Sequence, residues 1–369
     1  MKLIKVHDIE LDVSQLPAVK SEAQRVIQGV KVTQLKPINQ QVVAIVGASS
    51  GIGRETALKF ASRGAKVVVA ARSEPGLASL VEEIQNSGGE ATYIVADVSD
   101  FEQVKAIADK TVQVYGRLDT WVHAAATGIL APFENITPEE FKRVIDVTLM
   151  GQVYGAMAAL PYLKQEGRGA LIHISSMEGR RALPLQSPYS SAKHGLEGFL
   201  EALRVELKHE GIPISVTSIL PAVINTPYYN KVRTKLGVKP TGIPPYYDPS
   251  LVADAILYVA EHPTRDFIVG DVGRMLDVVQ RVSPGLVDNI LAAIAFAGQR
   301  TNEPKSESAP DDLYEPVTGY DKVKGDFDNL TIPSFTDWLD MNPPLKWGAL
   351  IVAALGVATA LGFFPGDEI

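Results

Sequence analysis

"QVVAIVGASSGIGRETALKF", Gln41 to Phe60, decides the fold. Val42 to Val46 are apolar at successive positions, as a strand covered on both faces requires; a half-exposed strand would alternate. Three glycines follow in the spacing G-x-x-x-G-x-G, and Ile52, Thr56 and Phe60 then recur every fourth residue, which gives the next segment an inward helical face. Gly47 permits a tight turn out of the strand, Gly51 lets a ligand approach the backbone, and Gly53 lets the helix pack closely on the sheet. The start of that helix offers free N–H groups and the positive end of its dipole, a seat for a pyrophosphate.

The same alternation continues downstream. Apolar strands are expected at "AKVVVAA", "ATYIVAD", "LDTWVHAA", "GALIHISS", "PISVTSIL" and "DFIVG". Between them, helices are expected near 75–87, 101–115, 138–163, over "SPYSSAKHGLEGFLEALRVELKHEG", and near 251–261. The fold class is therefore α/β, a doubly wound, seven-stranded parallel sheet of the Rossmann type in one domain, residues 41–299. Residues 1–40 form an N-terminal arm that ends near Lys36-Pro37. Within the domain, the apolar run Leu286 to Gly298 contains Asp288 and is too short to cross a bilayer, so a core or docking helix is expected there. Residues 300–345 are polar, acidic and Pro-rich, the composition of a linker with little surface to bury.

The last segment, 346–366, contains the uncharged run Trp347 to Phe364. At about 1.5 Å per residue it reaches about 27 Å, against a hydrocarbon core of roughly 30 Å. It reads either as a transmembrane helix or as one docked on protein. In the first case Lys346 before it and Asp367 and Glu368 after it leave the catalytic domain in the cytoplasm.

Composition narrows the function. Apolar residues are 46% of the chain and charged ones 21%, an ordinary globular balance. The net charge of −8 gives no basic footprint for nucleic acid. No cysteine is present, which removes thiolate catalysis and cysteine-bound zinc. The six histidines form no HxxxH pair, so no metal is expected. The charges within "MKLIKVHDIELDV" do not suit a secretory signal.

The chemistry is carried by "SPYSSAKHG", Ser187 to Gly195. Ser187 suits an N-cap and Pro188 a first helical position, placing Tyr189 in the first turn and Lys193 on the same face. A lysine cation and the helix's positive end both favour phenolate, so each is expected to lower the phenol's ordinary pKa of about 10. Tyr189 becomes a candidate proton donor and acceptor.

The glycine spacing with "ASSGIG", and Tyr189 and Lys193 thirteen and seventeen residues after Ser176, resemble the short-chain dehydrogenase/reductase family from about Gln41 to Gly273. The resemblance implies an oxidoreductase that interconverts a carbonyl and an alcohol by hydride transfer. Ser176 would polarise the substrate oxygen, Tyr189 move the proton, and Lys193 hold the nicotinamide ribose and tune Tyr189. Thr148 stands where the family's fourth catalytic residue is an asparagine, and would hold a water on the proton path.

The dinucleotide is expected at Gly47, Ser49, Ser50, Gly51, Ile52 and Gly53, with Asp97 and Val98 at the adenine. Ala125 would lie against the cofactor through its backbone, and Val223, Ile224 and Thr226 at the carboxamide. Where an acid would accept the NAD ribose hydroxyl, this chain has "AARS"; Arg72, with Ser73 and Arg54 as helpers, favours NADP over NAD. "HAAA", His123 to Ala126, replaces the family's "NNAG", and Ala222 replaces a glycine.

The aromatic segment after Thr226 is expected to close over the pocket and either clamp a lipophilic substrate or only pack the lid. Expected partners are a small carbonyl or alcohol and further copies of the chain, with membrane contact through the last helix. A catalytically weak nucleotide-binding or membrane scaffold on the same fold is the alternative.

Overall fold

A computed structural model describes residues 4–6, 9–11, 33–342 and 344–345. Most of the expected arm, and the 347–364 run, lie outside them. Seven strands form one sheet: β1 (Val42–Val46), β2 (Lys66–Ala71), β3 (Glu90–Val95), β4 (Thr120–His123), β5 (Gly169–Ile174), β6 (Ile214–Pro221) and β7 (Asp266–Val269). Their order is β7-β6-β5-β4-β1-β2-β3, every pair parallel. The order reverses between β1 and β4, and the crevice at the strands' carboxyl ends there is where such sheets bind ligands.

Alternation along β1 shows why its residues are all apolar. Val43 and Ile45 join one core with helices α1 (Gly51–Ser62), α2 (Glu74–Asn86) and α7 (Pro249–Val259). Ala44 and Val46 join the other with α3 (Phe101–Tyr115), α5 (Gly151–Glu166) and α6 (Ser187–His209). The expected helix near 138–163 is α4 (Pro138–Ile145) joined to α5 through a π-turn at Asp146–Met150. This run is the one described helix long and apolar enough to cross a membrane, and half of its most apolar window is buried in the domain, as a core helix would be. Helices α8 (Asp271–Val282), α9 (Pro284–Gly298) and α10 (Phe335–Asp340) complete the fold.

Residues 300–342 correct the expectation of a linker with little to bury. Arg300–Pro304 pairs with Val238–Pro240, and Leu313 and Asp337 are fully buried. The acids that suggested solvation are used as anchors: Asp311 pairs with Arg233, Asp326 with Lys239 and Asp337 with Arg274. Composition counts charges but does not reveal their partners. The stretch 311–328 runs as a strap across the crevice. Ahead of β1, the last residues of the arm also pack, since Ile38 is buried and its N–H donates to Glu261 at 3.0 Å.

Candidate active site

The loop after β1 is shaped by close backbone approach. Gly47 has φ +85°, and a Cβ there would stand 2.5 Å from the Ala125 nitrogen. A Cβ on Gly53 would stand 2.2 Å from the Gly47 carbonyl oxygen, so only glycine lets α1 begin this close to the turn. Gly51 (φ +57°) would aim a Cβ at Thr226, 3.2 Å away, into the cradle between the loop and the segment after β6.

One cavity of about 380 Å³ runs through this crevice, within the usual range for ligand sites. The expected dinucleotide residues other than Arg54 line it: Gly47, Ser49, Ser50, Gly51, Ile52 and Gly53 of the loop; Arg72, Asp97, Val98 and Ala125 at the strand ends; Val223 and Thr226 after β6; and Tyr189 and Lys193 of α6. Ser176 lines it as well. The backbone cradle and these strand-end side chains fit a dinucleotide. "HAAA" divides by side chain: Ala124, Ala125 and Ala126 line the cavity, whereas His123 is fully buried, stacked 6.3 Å from His173.

Helix α6 is capped by Gln186 rather than Ser187, a one-residue shift that keeps Tyr189 in the first turn. The Lys193 ammonium lies 5.3 Å from the Tyr189 ring centroid and donates to the Ile174 carbonyl at 2.7 Å. Ser176, at the end of β5, accepts from the Glu178 N–H at 3.0 Å and stands beside the Tyr189 phenol in the cavity wall.

The electrostatics correct one expectation. Burial raises the Tyr189 pKa, Glu178 raises it further, and only the Ser176 hydroxyl lowers it. Lys193 is not among the groups that shift it, and burial pushes the lysine itself down to about 7. The chain's own groups therefore keep the phenol protonated, the form a proton donor needs.

Thr148 does not line the cavity. The π-turn directs its hydroxyl to the backbone of Thr127, donating to the carbonyl at 2.8 Å and accepting from the N–H at 3.0 Å. It braces the loop after β4. Arg54 is also held elsewhere, by Glu83 at 2.7 Å and the Gly76 carbonyl at 3.2 Å. Ser73 caps α2 and donates to Asp321 of the strap at 3.2 Å. Asp97 is held at 2.7 Å by Arg143; burial alone would raise its pKa, but this bond and those from Ser99 lower it.

The strap roofs the cavity. The Gly51 N–H donates to the Lys322 carbonyl at 3.0 Å, and Arg72 donates to the carbonyls of Asp312 and Tyr314 at 2.6 and 2.8 Å. Pro316, Val317 and Asp321 line the cavity from above.

Three groups at the site are absent from the sequence reading. Lys231 donates to Ser50 at 2.9 Å, a cation beside the glycine loop. The Tyr228 hydroxyl is buried without a partner in the cavity wall, 6.0 Å from Tyr189 between ring centroids. Both come from the lid segment, where aromatic composition gave no direction to any side chain. By contrast, Tyr246 and Tyr247 are fully buried, and their hydroxyls accept from the Gly242 and Val272 N–H groups.

The third group is Glu178, whose pKa burial pushes up to about 8 against the Ser190 hydrogen bond and the Lys193 charge. An acid two residues past a strand-end serine was its only signal. Between its ordinary 4.5 and about 8 the folded chain holds a proton that the unfolded chain has lost, so ionisation costs stability as pH rises through that window. Glu178→Gln is expected to match the parent below pH 4.5 and to be the more stable above pH 8, by at most about 5 kcal/mol. Denaturant melts across pH check this; a difference that does not grow with pH overturns it.

Comparison with known proteins agrees with this fold. A family model described as short chain dehydrogenase matches residues 41–237. The uncharacterized oxidoreductase YxnA of Bacillus subtilis is 38% identical over 307 residues, covering 83% of each chain. The 3-oxoacyl-acyl-carrier-protein reductase FabG of Thermotoga maritima is 32% identical over 63% of this chain and 94% of its own. Among solved structures, an alcohol dehydrogenase of Thermococcus sibiricus complexed with 5-hydroxy-NADP superposes with a TM-score of 0.55 at 26% identity, over 62% of this chain and 95% of the other.

Proposed function

Since this chain belongs to the short-chain dehydrogenase family, we propose that it is an NADP-dependent oxidoreductase that interconverts a small carbonyl compound and its alcohol. The observation that carries this reading is the meeting of Ser176, Tyr189 and Lys193 in the cavity that the glycine loop also lines. The relatives' names, oxidoreductase and reductase, favour it over a silent nucleotide-binding scaffold.

When bound, the dinucleotide supplies or accepts the hydride. The chain's residues do the rest. The Gly47–Gly53 loop and Lys231 would hold its phosphates, and Lys193, which lines the same cavity, would hold its ribose. Ser176 donates to the substrate oxygen, and Tyr189 gives that oxygen its proton. The unpartnered Tyr228 hydroxyl offers the substrate a further hydrogen bond and so orients it. The strap excludes water from the crevice. NADPH oxidation followed by absorbance across a panel of carbonyls tests the reading; tight NADPH binding without turnover of any carbonyl sinks it.

NADP preference rests on Arg72 at the end of β2, with no acid at that position to repel a 2′-phosphate. Its remaining N–H groups face no carboxylate oxygen within ion-pair distance among the described residues. Arg72→Ala is expected to raise the KM for NADPH about 10–100-fold and to leave the KM for NADH nearly unchanged. Since Arg72 also anchors the strap, an equal rise for both cofactors would assign it to the strap alone.

A further inference from the structure

Helix α9 is apolar nearly all round: Asp288 is its one charged residue. A helix of that composition needs cover on every face, from protein or from lipid. Protein covers one side, where Val287, Leu291 and Ala295 pack against Leu276 and Val279 of α8 and against Leu183 and Ile243. Leu286, Ile290 and Ile294 are left on the outside.

Helix α8 repeats the pattern, since Met275, Val278 and Val282 share a narrow arc at about 100° per residue. Phe335 and Trp338 of α10, stacked at 6.2 Å, extend the surface. All eight of these side chains are at least 44% exposed. Arg274 ties α10 to α8 through Asp337 and Asp340, and Asp271 accepts from Ser334 and Thr336. Arg181 pairs with Asp288 and Arg281 with Asp277, and the acids of the three helices outnumber their arginines, so the face offers no basic patch to attract an anionic surface.

Two observations point to lipid as the cover. Val272 and Ile294 are exposed and also line the active-site cavity, and Leu276, Leu291 and Ile243 continue its apolar wall inward. An opening through this face would be closed by a protein partner, whereas a bilayer leaves it open to lipophilic molecules. Beyond α10 in the sequence, exposed Leu345 stands two residues before the uncharged run of Trp347 to Phe364, an apolar stretch of the kind that seeks a bilayer. Trp and Phe at the rim suit the headgroup region.

We propose that the α8–α9–α10 face docks on a neutral phospholipid bilayer and that its substrate is a lipophilic carbonyl or alcohol which enters the cavity from the membrane. The docking stands on its own; the substrate class rests on the oxidoreductase reading above.

The chain has no cysteine, so Val278→Cys carrying an environment-sensitive dye reports on this face, with Glu102→Cys on α3 as control. Phosphatidylcholine vesicles are expected to blue-shift the dye at position 278 and leave that at 102 unchanged. V278E/V282E/I290E in the full chain is expected to reduce vesicle partition at least ~10-fold. It should reduce turnover of a long-chain carbonyl supplied in vesicles by a similar factor, with a short water-soluble carbonyl held within about two-fold. A melt equal to the parent's guards against misfolding.

Vesicles that leave the dye at 278 unshifted, or a triple variant that partitions like the parent, overturn the docking. So does a shift that follows protein concentration without vesicles, which assigns the face to a second copy of the chain. Absence of turnover with both carbonyls in the parent, alongside a persisting dye shift, removes the oxidoreductase reading and the substrate class while the docking survives.

Discussion

Tyr189→Phe is expected to lower hydride transfer by about 10²–10⁴-fold and to leave dinucleotide affinity near that of the parent. The substitution removes one hydroxyl from a ring that stays packed beside Lys193 and Tyr228. That hydroxyl is the group the chain's own electrostatics hold protonated: burial and Glu178 raise its pKa, and Ser176 is the neighbour that pulls the other way. The substrate oxygen then loses its proton donor, while Ser176 can still polarise it. Single-turnover decay of NADPH absorbance gives the rate, and fluorescence titration gives the affinity. A variant that keeps more than about a tenth of the parent rate would show that another acid does the work, since a positioned acid is worth at least 10²-fold. Glu178, which lines the cavity and stays protonated up to about pH 8, is one such acid.

Gly53→Ala is expected to do the reverse, weakening dinucleotide binding by roughly 10²-fold. A methyl group at this position would sit 2.2 Å from the Gly47 carbonyl oxygen and 3.0 Å from the Ala48 Cα. Both obstacles are main chain, so α1 must move away from the turn, and its first N–H groups then miss the phosphates. Because the clash is local and the seven-stranded sheet is anchored by two cores on opposite faces, the fold is expected to survive. Calorimetric titration with NADPH and a thermal melt separate the two effects. Unchanged affinity would mean that the glycine loop is a turn and not the phosphate seat. Together the variants divide the site into a part that binds and a part that reacts.

The fold was legible because its determinants are local or periodic. Val42 to Val46 are apolar without alternation, and the strand they form is buried on both faces. The glycine spacing likewise implies its own backbone geometry, which Gly47 and Gly53 adopt. Residues 300–342 were read less well: acids and prolines suggested solvent, but Asp311, Asp326 and Asp337 each meet a cation far away in the chain. Thr148 was placed by family position, yet a π-turn directs it to Thr127.

What the sequence determined by itself was the class of fold, the close-packed glycine loop and the two residues, Tyr189 and Lys193, that share a helix face, because periodicity and spacing carry that information along the chain. The tertiary structure alone decided that burial keeps the Tyr189 proton in place, that Glu178 and Tyr228 join the cavity, and that a distant strap roofs it. Burial, proton affinity and the partner of a charge depend on which segments meet in space, and those meetings are between residues that no local pattern connects.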